Sequence, residues 1–313
     1  MIGMIARSMV LSLAWFAGVN AIASLMSVLA AVAVRKMSPV RRPRMLVTIR
    51  LFPAAASLLF VGAMFVPSQW AFEPRDTEET FGVVWYALAM VGGLLLARST
   101  LRGVSIINAA RRFRLREKSG MLGRGDVRQV HDLPGMSLAG IIRPRILINS
   151  RVVEDLSPAE LEVAIAHETA HRDAFDNLTR WAFACAPDLL CRSATAKQLE
   201  QEWCDAAEFR ADARATCGDA ARGLQLAAAL IKVARLSAVW TGKSAEPFWS
   251  TLHNSALLES RVRHLVSGQL PPPDPFPAPF LTIALTFAGT IVAAPLVAET
   301  IHRLTETLVA VLP

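Results

Sequence analysis

Charge is what this sequence has little of. Only 19% of its 313 residues are Asp, Glu, Lys or Arg, against about 25% in ordinary soluble domains. The shortage is local. Residues 8–34, 51–72, 80–97 and 275–298 carry no charged side chain at all. Each stretch reaches the ~18 apolar residues that a membrane-spanning helix needs. One such block can be a buried core helix, but four in a chain of this length argue for an integral membrane protein. The first block is also too long for a secretory signal, whose apolar region runs to about 7–15 residues; an uncleaved anchor is expected. With no charges recurring inside the four stretches, a channel or transporter has little to build on.

Other absences narrow the chemistry. Of the four cysteines, Cys185, Cys191, Cys204 and Cys217, none has the spacing of a CxxC pair, so a cysteine-built metal site is not expected. In a reducing compartment they should be thiols. The single tyrosine, Tyr86, lies inside the third charge-free stretch and is unsuited to catalysis. No internal repeat or low-complexity tract occurs.

The charges that are present are unevenly distributed. Arg35, Lys36, Arg41, Arg42 and Arg44 lie between the first two stretches, and Arg98, Arg102, Arg111, Arg112, Arg114, Arg116 and Lys118 follow the third. The gap between the second and third holds Glu73, Arg75, Asp76, Glu78 and Glu79 instead. This is the positive-inside pattern. It predicts a multi-pass protein of a bacterial inner membrane, with its N-terminus outside and residues 99–274 in the cytoplasm. The net charge of +7 then reflects topology and anionic lipid headgroups, and no direct nucleic-acid partner is expected.

The predicted organisation is a membrane region at 1–98, with spans at about 8–34, 47–69 and 80–98. A cytoplasmic domain at 99–274 and a final span with a short tail at 275–313 complete it. Residues 98–118 read as a helix leaving the membrane along its surface. Short strands are expected near 128–131, 137–142 and 145–149, and helices at about 158–173, 177–190, 197–217, 220–236 and 256–267. Ser157-Pro-Ala-Glu160 is a capping box with proline at the first helical position. The proline-rich stretch 270–279 is a stiff linker.

The helix that begins at Ser157 carries His-Glu-Thr-Ala-His, residues 167–171. Two histidines four apart share a helix face and can bind one tetrahedral cation. Glu168 beside them can serve as general base, as in zinc peptidases. A third protein ligand is needed. In residues 201–215, Glu208 and Asp212 are four apart, so Glu208 can complete the site while Asp212 orients a ligand histidine from behind. Glu202 and Asp205, three apart, are the competitors. A merely charged helix face, with Arg210 and Arg214 as partners, is the plainer alternative. His131, His253, His264 or an arginine such as Arg261 are candidates for donating to an oxyanion. His302, beyond the last span, should face outside.

HETAHRDAFDNL (167–178) resembles the active-site helix of the antirepressor metallopeptidases, the family of the β-lactam-sensing BlaR and MecR receptors, with Asp176-Asn177 matching its Asp-Asn. GIIRPRILINSRVVEDLSPAELEVAIAHE (140–168) is similar to that family's strand and loop leading into the helix, and LESRVRHL (258–265) resembles its closing arginine-bearing helix. EFRAD (208–212) is closer to the Glu-x-x-Ala-Asp element of HtpX-like and prenyl-protease peptidases. Cys204-Asp205 echo the antirepressor ending, but Gln201 stands where that family has glutamate, which turns the third-ligand assignment to Glu208. The resemblance covers roughly residues 80–300 and implies a gluzincin-type, mainly α-helical domain with a small β-hairpin or sheet, one Zn2+ and an edge strand, 137–142, that pairs an extended substrate. It also implies a membrane zinc endopeptidase that cleaves a protein such as a cytosolic transcriptional repressor, without the outer penicillin-binding sensor of the β-lactam receptors. An HtpX-like quality-control protease and a non-proteolytic signalling or scaffold protein are the alternatives.

Overall fold

A computed structural model of the chain describes residues 2–34, 42–72, 81–116, 120–121, 127–131, 133, 135–239, 255–268 and 278–312. The chain divides into two compact units, Met1–Arg102 with Phe183–Glu200 and Pro277–Pro313, and Gly103–Ala182 with Gln201–Phe276.

The first unit is helical. It contains α1 (Ile2–Val34), α2 (Arg42–Leu59), a π-helical segment (Phe60–Phe65), α3 (Val66–Phe72), the start of α4 (Val83–Arg116), and, near the C-terminus, a long helix at Ala278–Val311. Among the described residues, three stretches are long and apolar enough to cross a membrane: Ile5–Ala33, Met45–Phe72 and Val83–Arg112. The second combines α2, the π segment and α3. Residues 98–116 are helical and form the C-terminal part of α4. The expected fourth span falls in the helix at Ala278–Val311, part of whose side chains lie outside the described residues. The expected tail beyond 298 continues that same helix.

Packing in this unit centres on aromatic side chains. Trp15 lies tilted against Phe60, Phe65 and Trp85 and donates from Nε1 to Thr305 Oγ1 at 3.2 Å. Trp85 is buried, so it packs among these helices. At Gly92 a Cβ would stand 2.2 Å from the carbonyl oxygen of Leu13, so only glycine allows α1 and α4 this approach.

Residues 183–200 belong to this unit through polar contacts. Arg50 is 1% exposed; its Nη1 meets Asp188 Oδ2 at 2.7 Å, its Nε meets Glu200 Oε1 at 2.7 Å, and its Nη2 donates to the Phe183 carbonyl at 3.0 Å. Asn20 donates to the Pro187 carbonyl and accepts from the Leu189 backbone N–H, both at 3.0 Å. Buried polar groups require such partners, and these contacts run from α1 and α2 to this one segment, to which Ser99 of α4 also donates at the Cys185 carbonyl.

The second unit builds a small mixed sheet under helices. Strand β2 (Val127–Val130) runs parallel to β4 (Arg145–Asn149), and β3 (Met136–Ala139) runs antiparallel to β4 on its other side. A two-residue β1 (Gly120–Met121) extends the sheet, giving the order β1-β2-β4-β3. The central position of β4 explains its wholly apolar stretch Ile146-Leu147-Ile148, at most 1% exposed, since both sheet faces are covered. Strand β3 ends where Gly140 takes φ 115°, a conformation that favours glycine.

The helices follow in chain order: α5 (Ser150–Asp155), α6 (Pro158–Asp173), α7 (Asp176–Cys185), α8 (Ala194–Thr216), α9 (Ala220–Val239) and α10 (Ser255–Ser267), with the C-terminal helix Ala278–Val311 as α11. The Ser157 capping box is formed, with the Ser157 N–H donating to Glu160 Oε2 at 2.7 Å and the Glu160 N–H to Ser157 Oγ at 3.3 Å. One sheet face packs Met136, Leu138, Ile146 and Ile148 against Ala164 of α6 and Ala229 and Val233 of α9. Behind α6, Val163 meets Ala215, Leu226, Leu230 and Leu265. Helix α6 is thereby fixed between the sheet and α8 to α10.

Candidate metal centre

The metal-binding pattern lies in the last two turns of α6, where His167, Glu168 and His171 are all buried. Nε2 of His167 and Nε2 of His171 face each other at 3.1 Å. From α8, Glu208 brings Oε2 to 3.5 Å from His167 Nε2 and Oε1 to 3.6 Å from His171 Nε2. These three residues form a buried group whose ligand atoms lie within 4.8 Å of one another. A tetrahedral ion with bonds of ~2.0–2.1 Å separates its ligand atoms by about 3.3 Å, close to all three distances. The donor set of two imidazoles and a carboxylate therefore fits a divalent cation.

Both imidazoles are held from behind. His171 Nδ1 lies 2.6 Å from Asp176 Oδ2. Phe175 makes this possible: its φ of 56° turns the chain so that Asp176, five residues on, returns beneath its own helix. Arg210 Nη2 donates to the other oxygen of Asp176 at 2.6 Å. His167 Nδ1 lies 3.0 Å from Asp212 Oδ1, in ion-pair range although not aligned as a hydrogen bond. Such carboxylates set the ring orientation and tautomer of a ligand histidine.

Arg261 of α10 joins the two acids of α8. Its Nε and Nη2 donate to Asp212 Oδ2 and Oδ1 at 2.8 and 2.6 Å, and its Nη1 lies 2.9 Å from Glu208 Oε2. Arg180 of α7 approaches Glu208 Oε1 at 3.8 Å.

The electrostatics follow from burial opposed by these pairs. Burial alone would discharge His171, but Glu208 and Asp176 push it up to about 10. His167 is also raised, against burial, by Asp212 and Glu208. Glu208 is held well below its ordinary range, despite burial, by His171 and Arg261. Glu168 moves the other way: burial raises it, and its Oε2 has no hydrogen-bond partner among the described residues. A buried carboxylate with a free oxygen and raised proton affinity is suited to accepting a proton.

The structure thus brings His167, Glu168, His171, Glu208 and Asp212 together. Glu202 and Asp205 lie outside the group, and Asp205 accepts from Gln201 at 2.8 Å. Of the suggested oxyanion donors, His131 Nδ1 pairs with Ser150 Oγ and His264 Nδ1 with the Ser260 carbonyl. His253 lies outside the described residues. His302 stacks on Phe72 in the first unit. The expected edge strand 137–142 is the shorter β3, and the Asn177 side-chain amide donates to both Leu138 O and Gly140 O at 2.8 Å, filling part of its rim. Sequence reasoning missed Asp176 as the partner of His171, and also Arg210 and Arg180. The signals available were the spacing of Asp176 from His171 and the match of Asp176-Asn177 to the family's Asp-Asn.

Compared with protein-family models, curated proteins and solved structures, the chain finds no match.

Proposed function

We propose that this protein is a membrane-anchored zinc metalloendopeptidase that cleaves a protein substrate on the cytoplasmic side of a bacterial inner membrane, in regulatory signalling such as inactivation of a repressor. The observation that carries this reading is the His167–His171–Glu208 triangle, with separations of 3.1, 3.5 and 3.6 Å, beside a buried carboxylate, Glu168, that is not part of it. Two imidazoles and one carboxylate are a donor set common to catalytic zinc. The ion would supply Lewis acidity and a water made nucleophilic near neutral pH. Glu168 takes the proton of the attacking water and returns it to the leaving amine. Asp176 and Asp212 keep the two rings in place.

Metal analysis tests the site. Wild type and Glu202→Ala should carry about one zinc each, and Glu208→Ala none; an emptied Glu202→Ala beside a filled Glu208→Ala would overturn the ligand set. Comparing the proteomes of cells carrying wild type or Glu168→Gln tests the function. One or a few proteins should accumulate intact with the variant. Signalling at full strength with Glu168→Gln would instead favour a non-proteolytic scaffold. A second proteolytic reading has its own support. Glu208 and Asp212 stand in the Glu-x-x-Ala-Asp spacing that resembles HtpX-like peptidases, and for a quality-control protease many proteins would accumulate.

A further inference from the structure

Peptide hydrolysis builds negative charge on the carbonyl oxygen, and such sites place a hydrogen-bond donor where that charge develops. Several of the other donors among the described residues already hold a partner. All three nitrogens of Arg261 are within 2.9 Å of Asp212 or Glu208. Arg210 is bound to Asp176 at 2.6 Å. His131 and His264 each pair through Nδ1, with Ser150 Oγ and the Ser260 carbonyl, and Tyr86 belongs to the other unit.

Arg180 is different. It lies on α7 one turn after Asp176, on the same helix face, and that face is set by the contact of Asp176 with His171. Its Nη2 stands 3.8 Å from Glu208 Oε1, beyond hydrogen-bond range yet next to a ligand of the centre. Its Nε is buried with no hydrogen-bond partner among the described residues, although the side chain as a whole keeps 19% of its surface exposed. A guanidinium held beside the centre by the charges of Glu208 and Asp176, with no close hydrogen bond to either and partly open to solvent, can receive an anion in its planar fork of donors.

We infer that Arg180 is the catalytic residue that hydrogen-bonds the scissile carbonyl oxygen as it becomes an oxyanion, an assignment that rests on the peptidase reading above. Water oxygen bonds to the carbonyl carbon, one water proton passes to Glu168, and the C=O π pair becomes a lone pair on the oxygen that faces Arg180. That pair then re-forms the C=O bond as the C–N bond breaks. The nitrogen leaves with the bonding pair and takes the proton from Glu168, yielding a carboxylic acid and an amine.

The test uses the full chain purified in detergent and loaded with cobalt(II), whose visible spectrum reports ligands. Inorganic phosphate is the tetrahedral anion and imidazole the uncharged control, each titrated into wild type, Arg180→Gln and Arg180→Lys. Cobalt content and imidazole affinity should match in all three proteins. Phosphate affinity should fall on the order of tenfold or more in Arg180→Gln, the loss of a charge-assisted hydrogen bond, and recover most of the way in Arg180→Lys. Equal phosphate affinity in the three loaded proteins would overturn the assignment. So would loss of cobalt from Arg180→Gln alone, which would make Arg180 a positioning residue for Glu208. Failure of wild type to take up cobalt would overturn the peptidase reading itself.

Discussion

Arg261 and Asp212 meet side by side, Nε to Oδ2 at 2.8 Å and Nη2 to Oδ1 at 2.6 Å, with side chains 2% and 0% exposed. A bidentate pair this deeply buried is costly to form and more costly to break, because removing one partner leaves the other charge unpaired away from water. Its place between α8 and α10 makes it both a structural tie and a support for Glu208.

Arg261→Ala should therefore lower stability by about 3–5 kcal/mol, measured by denaturant unfolding of the protein in detergent. The double change Arg261→Met with Asp212→Leu should cost less than Arg261→Ala alone. A single variant within ~0.5 kcal/mol of wild type would show that the pair contributes little.

Asp176→Asn keeps the shape of the side chain but removes the charge that holds His171 Nδ1 at 2.6 Å. Zinc affinity should fall about 10–100-fold, read by competition with a chelating dye, while the helical circular dichroism stays the same. An unchanged affinity would mean that the ring of His171 is oriented by packing alone.

Stability of the chelator-treated protein should fall as pH rises. His171 is raised to about 10 in the folded protein from an ordinary 6.5, so its contribution is complete below ~6.5 and is lost through about 10. His167 shifts in the same direction. Glu208, Asp212 and Asp176 shift downward, so their contributions are present above the ordinary carboxylate range and vanish on acidification. Unfolding temperatures measured from pH 5 to 10 should decline above neutrality without zinc. Zinc affinity should rise over the same interval, with protons released on uptake, because the imidazoles ligate only when uncharged. A flat profile for the chelated protein would remove the electrostatic account.

Arg50→Met should destabilise the first unit by several kcal/mol, since Asp188 would stay buried without its counter-charge. The companion change Asp188→Leu should recover much of the loss. Unfolding of the two variants in detergent, followed by tryptophan fluorescence, distinguishes this from a surface pair of negligible worth.

Local signals were legible in the sequence and long-range ones were not. Helix α6 begins and ends where the Ser157 capping box and the His-Glu pattern put it, because caps and helical period are properties of neighbouring residues. Strand β4 matches its predicted limits for the same reason: a β-branched run bounded by Pro144 and the Asn149 cap of α5. Sheet order escaped, since nothing local tells β4 to stand between β2 and β3. In the sequence, Glu208 was weighed against Glu202 by helical spacing and by the family resemblance, and the structure adds the separation across α6 and α8 that groups Glu208 with the two histidines. Asp176 escaped because its role depends on the positive φ of Phe175. Arg261 is 94 residues from His167, and Arg180 gains its meaning only once α7 has been turned back towards α8.

The grip of Arg50 and Asn20 on residues 183–200 has a practical corollary for anyone who would cut this protein down. A fragment running from 103 to 276 looks like an independent soluble domain, yet its middle carries Asp188 and the Leu189 amide, whose partners sit on α1 and α2. Excision would expose a carboxylate and a loop shaped for burial, at the root of the helix that bears Glu208. The part of the chain that carries the candidate metal centre is best purified with its hydrophobic helices attached.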